Sequence, residues 1–535
     1  MTGRDTTEEG IFYFQDHVHW PEPLSPLFGS YFPSISRRAS TKAAASLAMP
    51  FLPPRPRIVN HYFYLGFGLP GATSPETQRL LQEHQLAVSQ VLTRLPREWE
   101  ENLFPRLVRD NQRQKAFLAG RPTWEDLIAF LPQMQEMDEF RWFVHFYIIF
   151  PLHYATGALA HLYAEIMGRE REDEAYRLLL GLENKTWETD CQIFRLARVA
   201  RENLSVKDAF SGNVAEIWER VREMPEAAEF SRSVIEFLDL YGYRLTFGYD
   251  PRHPTWREDP SALIRFVQVH LSVDLADPAE VREKLTEERV RLTQTVIRKI
   301  GVDPAKKTAF MNALENALAI FPFKETREFY VHQMSASMCR LFFLALGKAL
   351  VRRGFLKEPQ DIFFLTLEEV LATGASREAL IEERKADFAK AMATSPPPFL
   401  GDPKPGSLEA IKGSDVFKTF EGSRPDPGPG AKRLAGLAGS PGNAEGPACV
   451  VRSPEEMAKV RPGAILVCQT TTPVWTPLFS YIRGLVTDFG GVLCHGAVVA
   501  REYGLPAVVG TRYATRYIRD GEIVRVDGTS GIVSF

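Results

Sequence analysis

Two segments dense in proline and glycine divide this 535-residue chain and limit how it can fold. They are TSPPPFLGDPKPG at 394–406 and EGSRPDPGPG at 421–430. Few side chains in them can build a core, and proline removes a backbone hydrogen-bond donor, so such segments are typical of connections between domains. The sequence therefore predicts three parts: a large domain over 1–393, a Pro/Gly-rich linker over 394–432 and a small domain over 433–535.

The two predicted domains differ in their sequence patterns. Residues 1–75 are aromatic-rich and broken by proline, which favours short extended pieces and turns. From Thr73 to Ala393, apolar residues recur at three- and four-residue spacing, which predicts helices, with no strand–helix alternation typical of a barrel. After Lys432, short β-branched runs are separated by turns and by one or two helices. We expect a multidomain fold, mainly α-helical first and α/β at the end.

Charge and cysteine content exclude several classes of protein. Lys+Arg number 64 against 67 Asp+Glu, so no broad basic field is available for nucleic acid or an anionic membrane. The five cysteines are scattered without a CxxC pair, which argues against a disulfide framework or a thiolate metal site. The N-terminus lacks the pattern of a signal peptide, and the apolar run at 142–152 is too short to cross a bilayer. We expect a soluble cytoplasmic protein without nucleic-acid or membrane partners.

The segment TDFGGVLCHGAVVAREYGLPAVVGT, residues 487–511, contains the strongest chemical signal. Its pattern predicts a strand, a turn at Gly490 and Gly491, a helix that begins at His495, and a second strand. Helix N-termini favour bound phosphate, and the glycines allow close backbone approach. His495 could therefore be a nucleophile that carries a phosphoryl group. A lone histidine at such a position is more often a cap or a core residue, so the local pattern leaves both readings open.

This segment closely resembles the swivelling phosphohistidine domain of phosphoenolpyruvate-utilising enzymes. Residues 436–479 resemble the leading half of that domain, and residues 520–535 its usual end. The resemblance implies that His495 is the phosphorylated residue, that Thr487 places a hydroxyl near the phosphoryl group, and that Arg501 is an anion partner. Cys494 stands where the family usually has Ser or Thr, and a thiol is a weaker hydrogen-bond donor.

Three earlier segments are similar to the substrate domain of the rifampin phosphotransferase family. They lie at 20–28, 241–264 and 326–370, the last of which includes Arg327-Glu328. Tyr243 replaces a histidine of the family pattern. The resemblance implies that the helical region binds a substrate and that the C-terminal domain delivers phosphate to it.

No ATP-grasp domain, phosphoenolpyruvate-binding barrel or GxxxxGK[ST] loop is apparent. The resemblance to two-component aryl phosphate synthases of the phenylphosphate synthase type then implies a separate ATP-grasp-type subunit. That subunit would bind ATP and Mg²⁺ and phosphorylate His495, and this chain would bind no cofactor itself. The acceptor would be a small aromatic hydroxyl compound: a phenol, a cresol or a benzylic alcohol. Alternatives are a non-catalytic phosphocarrier or regulatory interaction protein, and a dikinase-like phosphoenolpyruvate enzyme, against which the missing barrel speaks.

Transfer to a hydroxyl needs an apolar pocket, a base and a cation. The candidate pocket residues are aromatic: Phe12, Tyr13, Phe14, Trp20, Tyr62, Phe63, Tyr64 and Phe67. The candidate bases are Asp16, His17, His19 and Glu22, and the candidate cations are Arg244 and Arg327. Core packing and structural ion pairs are the alternative for all of them. His145, His153 and His161 recur at eight-residue spacing, but this drifts by about 80° around a helix, so we predict no metal site.

Overall fold

In the computed structural model, the chain divides into two units by its internal contacts. The first unit comprises Met1–Pro151, Gly248–His253 and Arg327–Ser414, and the second comprises Leu152–Phe247, Pro254–Thr326 and Asp415–Phe535. The structure describes residues 11–17, 19–49, 55–68, 75–273, 276–372, 377–394, 396–397, 399–401, 426–428, 430–452, 454–471 and 473–535. Most of the predicted linker at 394–432 lies outside the described residues, so the three-part division stays a prediction.

A four-stranded antiparallel sheet and long helices build the first unit. The strands are β1 (Ile11–Gln15), β2 (Arg55–Val59), β3 (Tyr62–Gly68) and β4 (Phe399–Leu400), in the order β2-β3-β1-β4. The first helices are α1 (Pro26–Ser46), α2 (Pro75–Glu98), α3 (Phe104–Ala119) and α4 (Trp124–Met167), and α4 continues into the second unit. A π-helical turn, Trp99–Leu103, joins α2 to α3.

The expectation of short pieces throughout 1–75 is wrong for α1. The three strands confirm the extended pieces, but residues 26–46 form a helix of 21 residues despite Pro33 in its interior. Pro26 stands in its first turn, where the missing N–H costs nothing. Leu27, Tyr31 and Ile35 follow at four-residue spacing and are buried on one face. Tertiary burial of that face therefore outweighs the local effect of proline.

Helices account for most of the second unit before its C-terminal sheet. The chain first forms a 3₁₀ segment, Arg169–Leu179, within the region whose residue spacing predicts helices. The helices are α5 (Lys185–Glu202), α6 (Leu204–Ala209), α7 (Val214–Glu223), α8 (Ala228–Tyr241), α9 (Ser261–Ser272), α10 (Pro278–Ile300), α11 (Pro304–Ile320) and α12 (Pro322–Arg327). The first unit then resumes with a π-helical segment (Glu328–Gln333), α13 (Met334–Arg352), α14 (Leu367–Leu371) and α15 (Glu378–Met392).

An eight-stranded mixed sheet forms the C-terminal part of the second unit, in the order β5-β12-β11-β7-β8-β9-β10-β6. Its strands are β5 (Arg433–Ala435), β6 (Leu437–Ser440), β7 (Asn443–Val451), β8 (Ile465–Cys468), β9 (Gly484–Thr487), β10 (Ala507–Val509), β11 (Ile523–Asp527) and β12 (Ile532–Ser534). Helices α16 (His495–Glu502) and α17 (Ala514–Tyr517) lie between strands in the chain. The predicted fold class, mainly helical and then α/β, is confirmed.

The core of the second unit is shared between its helices and its sheet. One hydrophobic cluster joins Ile193 of α5 and Val267 of α9 to Leu466 of β8 and Leu485 of β9, all fully buried or nearly so. On another side of the sheet, Val450 and Val467 belong to a separate cluster with residues of β11 and α17. The α/β part is thus packed against the helices of its own unit.

Two helical stretches are long and apolar enough to cross a membrane, judged by length and composition: Trp124–Met167 and Pro304–Arg352. In the most apolar window of each, 78% and 72% of the residues are buried inside the protein. Burial of this extent is typical of core helices, so both stretches are weak evidence for membrane spans.

Candidate phosphohistidine site

His495 is the first residue of α16, and α16 connects two parallel strands. β9 leads into Gly490, whose φ of 111° favours glycine, and β10 pairs in parallel with β9 after the helix. Cys494 is the N-cap, and its Sγ accepts a hydrogen bond from the backbone N–H of Ala497 at 3.5 Å. The predicted order of strand, glycine turn, helix and strand is therefore confirmed, with His495 at the helix N-terminus.

Both ring nitrogens of His495 lie within hydrogen-bond distance of side chains from elsewhere in the second unit. Nδ1 is 3.1 Å from Oε2 of Glu325, and Nε2 is 3.1 Å from Oγ1 of Thr476. The His495 side chain is 9% exposed and that of Glu325 is 3% exposed, so this pair is largely shielded from water.

Glu325 is held ionised by its neighbours. Its Oε1 accepts from Nζ of Lys324 at 2.7 Å, and its Oε2 accepts from the hydroxyl of Thr186 at 3.0 Å. Burial acts to raise the pKa of Glu325, but Lys324 and His495 outweigh it and hold that pKa well below its usual range. The carboxylate is thus a permanent acceptor beside the imidazole.

The hydrogen-bond network assigns the His495 tautomer. An ionised Glu325 can only accept, so Nδ1 carries a hydrogen, and in the neutral imidazole the lone pair is then on Nε2. The hydroxyl of Thr476 then donates to Nε2. A carboxylate that orients a histidine and leaves the lone pair on the far nitrogen is an arrangement that activates a nucleophile.

Two of the predicted supporting residues, Thr487 before the turn and Arg501 within α16, donate hydrogen bonds to protein groups. The Thr487 hydroxyl donates to the carbonyl of Phe489 at 2.7 Å. Arg501 is buried, donates to the carbonyl of Val492, and lies over the Tyr176 ring at 5.1 Å. Their roles toward a phosphoryl group stay predictions.

The glycine positions are tightly packed. A Cβ on Gly490 would lie 2.8 Å from Sγ of Cys494, and one on Gly496 would lie 2.6 Å from Oγ1 of Thr471. The buried carbonyl of Gly491 accepts from the backbone N–H of Cys494 at 3.0 Å. Gly490 and Gly496 therefore set how closely the turn and α16 approach their neighbours.

A second pair of polar groups lies at the far end of α16. Tyr503 donates its hydroxyl to Oδ2 of Asp190 at 2.5 Å, and both residues line a cavity of about 440 Å³ in the second unit. Burial raises the pKa of Asp190 to about 7, above the lowering effects of Tyr503 and Arg244. Burial also raises the pKa of Glu502, another residue of this cavity, to about 8.

In the first unit, three histidines converge. His19, His145 and His332 each offer a ring nitrogen, and these atoms lie within 4.8 Å of one another. Two carboxylates back this imidazole cluster: Asp16 lies 2.9 Å from Nδ1 of His19, and Glu328 lies 2.7 Å from Nδ1 of His332. Three histidines recur in the sequence at eight-residue spacing. One of them, His145, lies in this cluster with His19 and His332. Another, His161, forms an ion pair with Glu165 on the surface.

The other candidates for the substrate site are placed as follows. Asp16, His19, Trp20 and Arg327 all belong to the first unit, where Trp20 lies 5.5 Å from the His19 ring and Arg327 donates to the His145 carbonyl at 3.5 Å. Arg244 belongs to the second unit and donates to the Thr189 hydroxyl at 2.7 Å. Four of the residues predicted for the substrate site, Asp16, His19, Trp20 and Arg327, therefore lie in or beside the imidazole cluster.

His17 is buried, and Glu22 bonds Arg252 and His253. Most of the aromatic candidates whose side chains the structure describes are buried in the core. These are Phe14, Trp20, Tyr62, Phe63 and Tyr64, whereas Tyr13 is half-buried. The side chains of Phe12 and Phe67 lie outside the described residues.

Sequence reasoning missed Glu325, Thr476 and His332. Glu325 is 170 residues from His495 in the chain, so no local pattern could join them. The signal available for Glu325 was its position just before Arg327-Glu328, a pair that the family pattern contains. The signal for His332 was its position four residues after Glu328, a spacing at which side chains on a helix can meet.

Comparison with protein families gives two matches. Residues 460–531 match the mobile domain of phosphoenolpyruvate-utilising enzymes, and residues 145–325 match the fourth domain of rifampicin phosphotransferase. The second match ends at Glu325, the partner of His495. The resemblance predicted from the sequence is confirmed: the chain carries domains of the phosphoenolpyruvate-utilising family, of the kind found in rifampicin phosphotransferase.

Several curated proteins are similar to this chain. An uncharacterised phosphotransferase of Bacillus subtilis, YvkC, is 32% identical over 73% of this chain and 47% of its own length. A rifampicin phosphotransferase of Streptomyces is 34% identical over 66% of this chain and 40% of its own. The chondramide synthase of Chondromyces crocatus is 29% identical over 98% of this chain but only 14% of its own. The chain thus spans less than half the length of these relatives.

Proposed function

We propose that this protein is a phosphotransferase component in which Nε2 of His495 accepts a phosphoryl group and passes it to the hydroxyl of a small aromatic compound. The observation that carries the proposal is the contact between His495, at the N-terminus of α16, and the ionised Glu325. The relatives named as phosphotransferases and the match to a mobile domain support the same class of chemistry.

The proposed reaction has two displacements. In the first, the Nε2 lone pair attacks phosphorus, a P–N bond forms, and the P–O bond to the nucleotide breaks with its electron pair on the departing oxygen. Glu325 stabilises the positive charge that develops on the imidazole. In the second, the acceptor oxygen attacks phosphorus, the P–N bond breaks with its electron pair returning to Nε2, and the hydroxyl proton leaves to a base.

We infer that a separate ATP-grasp-type subunit supplies the phosphoryl group from ATP and Mg²⁺. The relatives named as phosphotransferases support the need for a phosphoryl donor. The partnership makes the protein part of a hetero-oligomer, and we place it in the cytoplasm, where ATP is available.

The imidazole cluster of the first unit is the acceptor site that we favour. Trp20, Trp142 and Tyr249 surround His19 with ring centroids 5.5, 6.3 and 6.1 Å away, which gives an apolar wall beside groups that can take a proton. An aromatic alcohol such as phenol, a cresol or benzyl alcohol fits this chemistry.

Product formation tests the proposal. The protein is mixed with an ATP-grasp protein encoded beside it, ATP, Mg²⁺ and each aromatic alcohol, and aryl phosphate is followed by ³¹P NMR. We expect product only when both proteins are present, and no product with His495→Ala. His84 is the control, because it lies in the first unit and is hydrogen-bonded to the Leu47 carbonyl. We expect His84→Ala to keep the activity. Equal product formation by His495→Ala would contradict the proposal. Phosphorylated protein without transfer to any hydroxyl would favour a phosphocarrier instead.

A further inference from the structure

We propose that the imidazole cluster formed by His19, His145 and His332 binds a divalent transition-metal ion, with zinc preferred. Three ring nitrogens lie within 4.8 Å of one another. His145 and His332 are 5% and 1% exposed, and the side chain of His19 is 11% exposed. Three histidines from different parts of the chain that point nitrogen atoms at one buried location are the donor set of open zinc sites.

The surroundings of the cluster orient two of the three ligands. The Asp16 carboxylate lies 2.9 Å from Nδ1 of His19, and the Glu328 carboxylate lies 2.7 Å from Nδ1 of His332. A carboxylate that accepts the Nδ1 hydrogen places the lone pair of each ring on Nε2, the nitrogen that would bind the ion. Metal-bound histidines almost always have such a carboxylate or carbonyl partner on the other nitrogen.

The nitrogens of His145 and His332 need only a small movement to hold an ion between them. Nδ1 of His145 is 2.6 Å from Nε2 of His332. Two nitrogens bound tetrahedrally to zinc are about 3.3 Å apart, given the usual Zn–N distance. An ion can therefore replace the His145–His332 hydrogen bond if these atoms separate by less than about 1 Å, and His145 then carries its hydrogen on Nε2.

Charge and solvent exclusion support the same occupant. The carboxylates of Asp16 and Glu328 together balance the two positive charges of the ion, and the guanidinium of Arg327, which donates to the His145 carbonyl at 3.5 Å, adds one further positive charge. Trp142 stacks at 5.1 Å from the ring of His332 and shields the cluster. A buried cation without such compensation would be expensive.

The ligand types select the class of metal. Three imidazole nitrogens suit zinc and other late first-row ions, whereas Mg²⁺ and Ca²⁺ prefer oxygen ligands. Three protein ligands leave a fourth position for a water molecule or a hydroxyl oxygen. The inference does not depend on the phosphorylation of His495.

Metal titration of the full chain tests the site. The protein is stripped with a chelator and titrated with Co²⁺, whose visible absorption reports four-coordinate binding, and Zn²⁺ is then added as a competitor. We expect one equivalent of Co²⁺ to bind and to be displaced by Zn²⁺. His332→Ala should abolish the spectrum, and Glu328→Gln should weaken binding about 10- to 100-fold.

The controls separate this inference from the proposed function. His495→Ala should bind Co²⁺ like the unaltered protein, since His495 is not one of the three proposed ligands. Circular dichroism checks that His332→Ala is folded, and the isosteric Glu328→Gln gives an independent reading if it is not. Absence of stoichiometric Co²⁺ binding, or unchanged affinity in Glu328→Gln and His332→Ala, would overturn the inference.

Discussion

Glu325 is the residue on which the proposed chemistry of His495 depends most directly. It accepts from Nδ1 and thereby keeps the lone pair on Nε2. In Glu325→Gln the neutral amide can accept or donate, and it no longer stabilises a positive imidazole. We expect phosphorylation of His495 to slow by about 10²-fold or more, the range typical of a lost charge-stabilising group.

Single-turnover phosphorylation by the partner measures this effect. Glu315→Gln, at an exposed position on the preceding helix α11, is the matched control and should phosphorylate at the unaltered rate. A Glu325→Gln rate equal to that of the control would show that the contact does not activate His495.

Asp190 predicts a pH dependence of stability. Burial raises the pKa of Asp190 from 3.8 to about 7. Between about pH 4 and pH 7, the folded protein therefore keeps a proton on Asp190 that the unfolded chain has already lost. The free energy of unfolding therefore falls as pH rises from about 4 to 7, by at most about 4 kcal/mol from this group.

Asp190→Asn should remove that contribution while keeping an acceptor for Tyr503. Urea unfolding at pH 5 and pH 8 compares the two proteins. We expect the variant to gain stability relative to the unaltered protein at pH 8, and an identical difference at both pH values would refute the assignment.

At the scale of elements, α16 and its flanking strands show what the sequence could predict. The glycine turn and the start of the helix at His495 could both be predicted, because each depends on local backbone preference. The helix α1 was not, because Pro33 argues against it and only the burial of its apolar face, a tertiary effect, overrides that signal. In the same way, α4 runs through Pro132 and Pro151 as one helix.

Gly496 tests how tightly α16 is positioned. A Cβ there would lie 2.6 Å from Oγ1 of Thr471 and 3.2 Å from a methyl group of Leu485. Gly496→Ala should therefore lower the free energy of unfolding by about 1–3 kcal/mol and slow phosphorylation of the adjacent His495.

Gly504→Ala is the control at the other end of α16. It has a φ of 61° and open space around it, so it should cost backbone strain without affecting the phosphorylation rate. Denaturant unfolding and phosphorylation kinetics distinguish the two variants. Equal phosphorylation rates would mean that the approach at Gly496 does not position His495.

At the scale of the whole molecule, the shared core of the second unit predicts coupled unfolding. Leu485 of β9 is fully buried in the cluster that includes α5 and α9. Leu485→Ala should lower the free energy of unfolding by about 2–5 kcal/mol and increase hydrogen exchange in those helices as well as in the sheet. Leu240→Ala, which is 66% exposed, should change stability by less than about 0.5 kcal/mol. Exchange that increases only in the sheet would contradict a shared core.

The candidate site combines a part that the sequence could predict with a part that it could not. His495 and its turn are one continuous segment, whereas Glu325, Thr476 and Lys324 reach it through tertiary folding. The imidazole cluster likewise draws His19, His145 and His332 from three distant stretches. A site within one continuous segment can be predicted from the spacing of its residues. A site formed by distant segments depends on tertiary packing, which residue spacing does not show.

The central claim is that Nε2 of His495 carries the phosphoryl group. The most direct measurement is incubation with the ATP-binding partner and ATP labelled separately at the β and γ positions, followed by mass spectrometry under alkaline conditions that preserve phosphohistidine. We predict acid-labile label on His495, located on Nε2 by NMR, and none in His495→Ala. Unchanged acid-labile label in His495→Ala would contradict the claim.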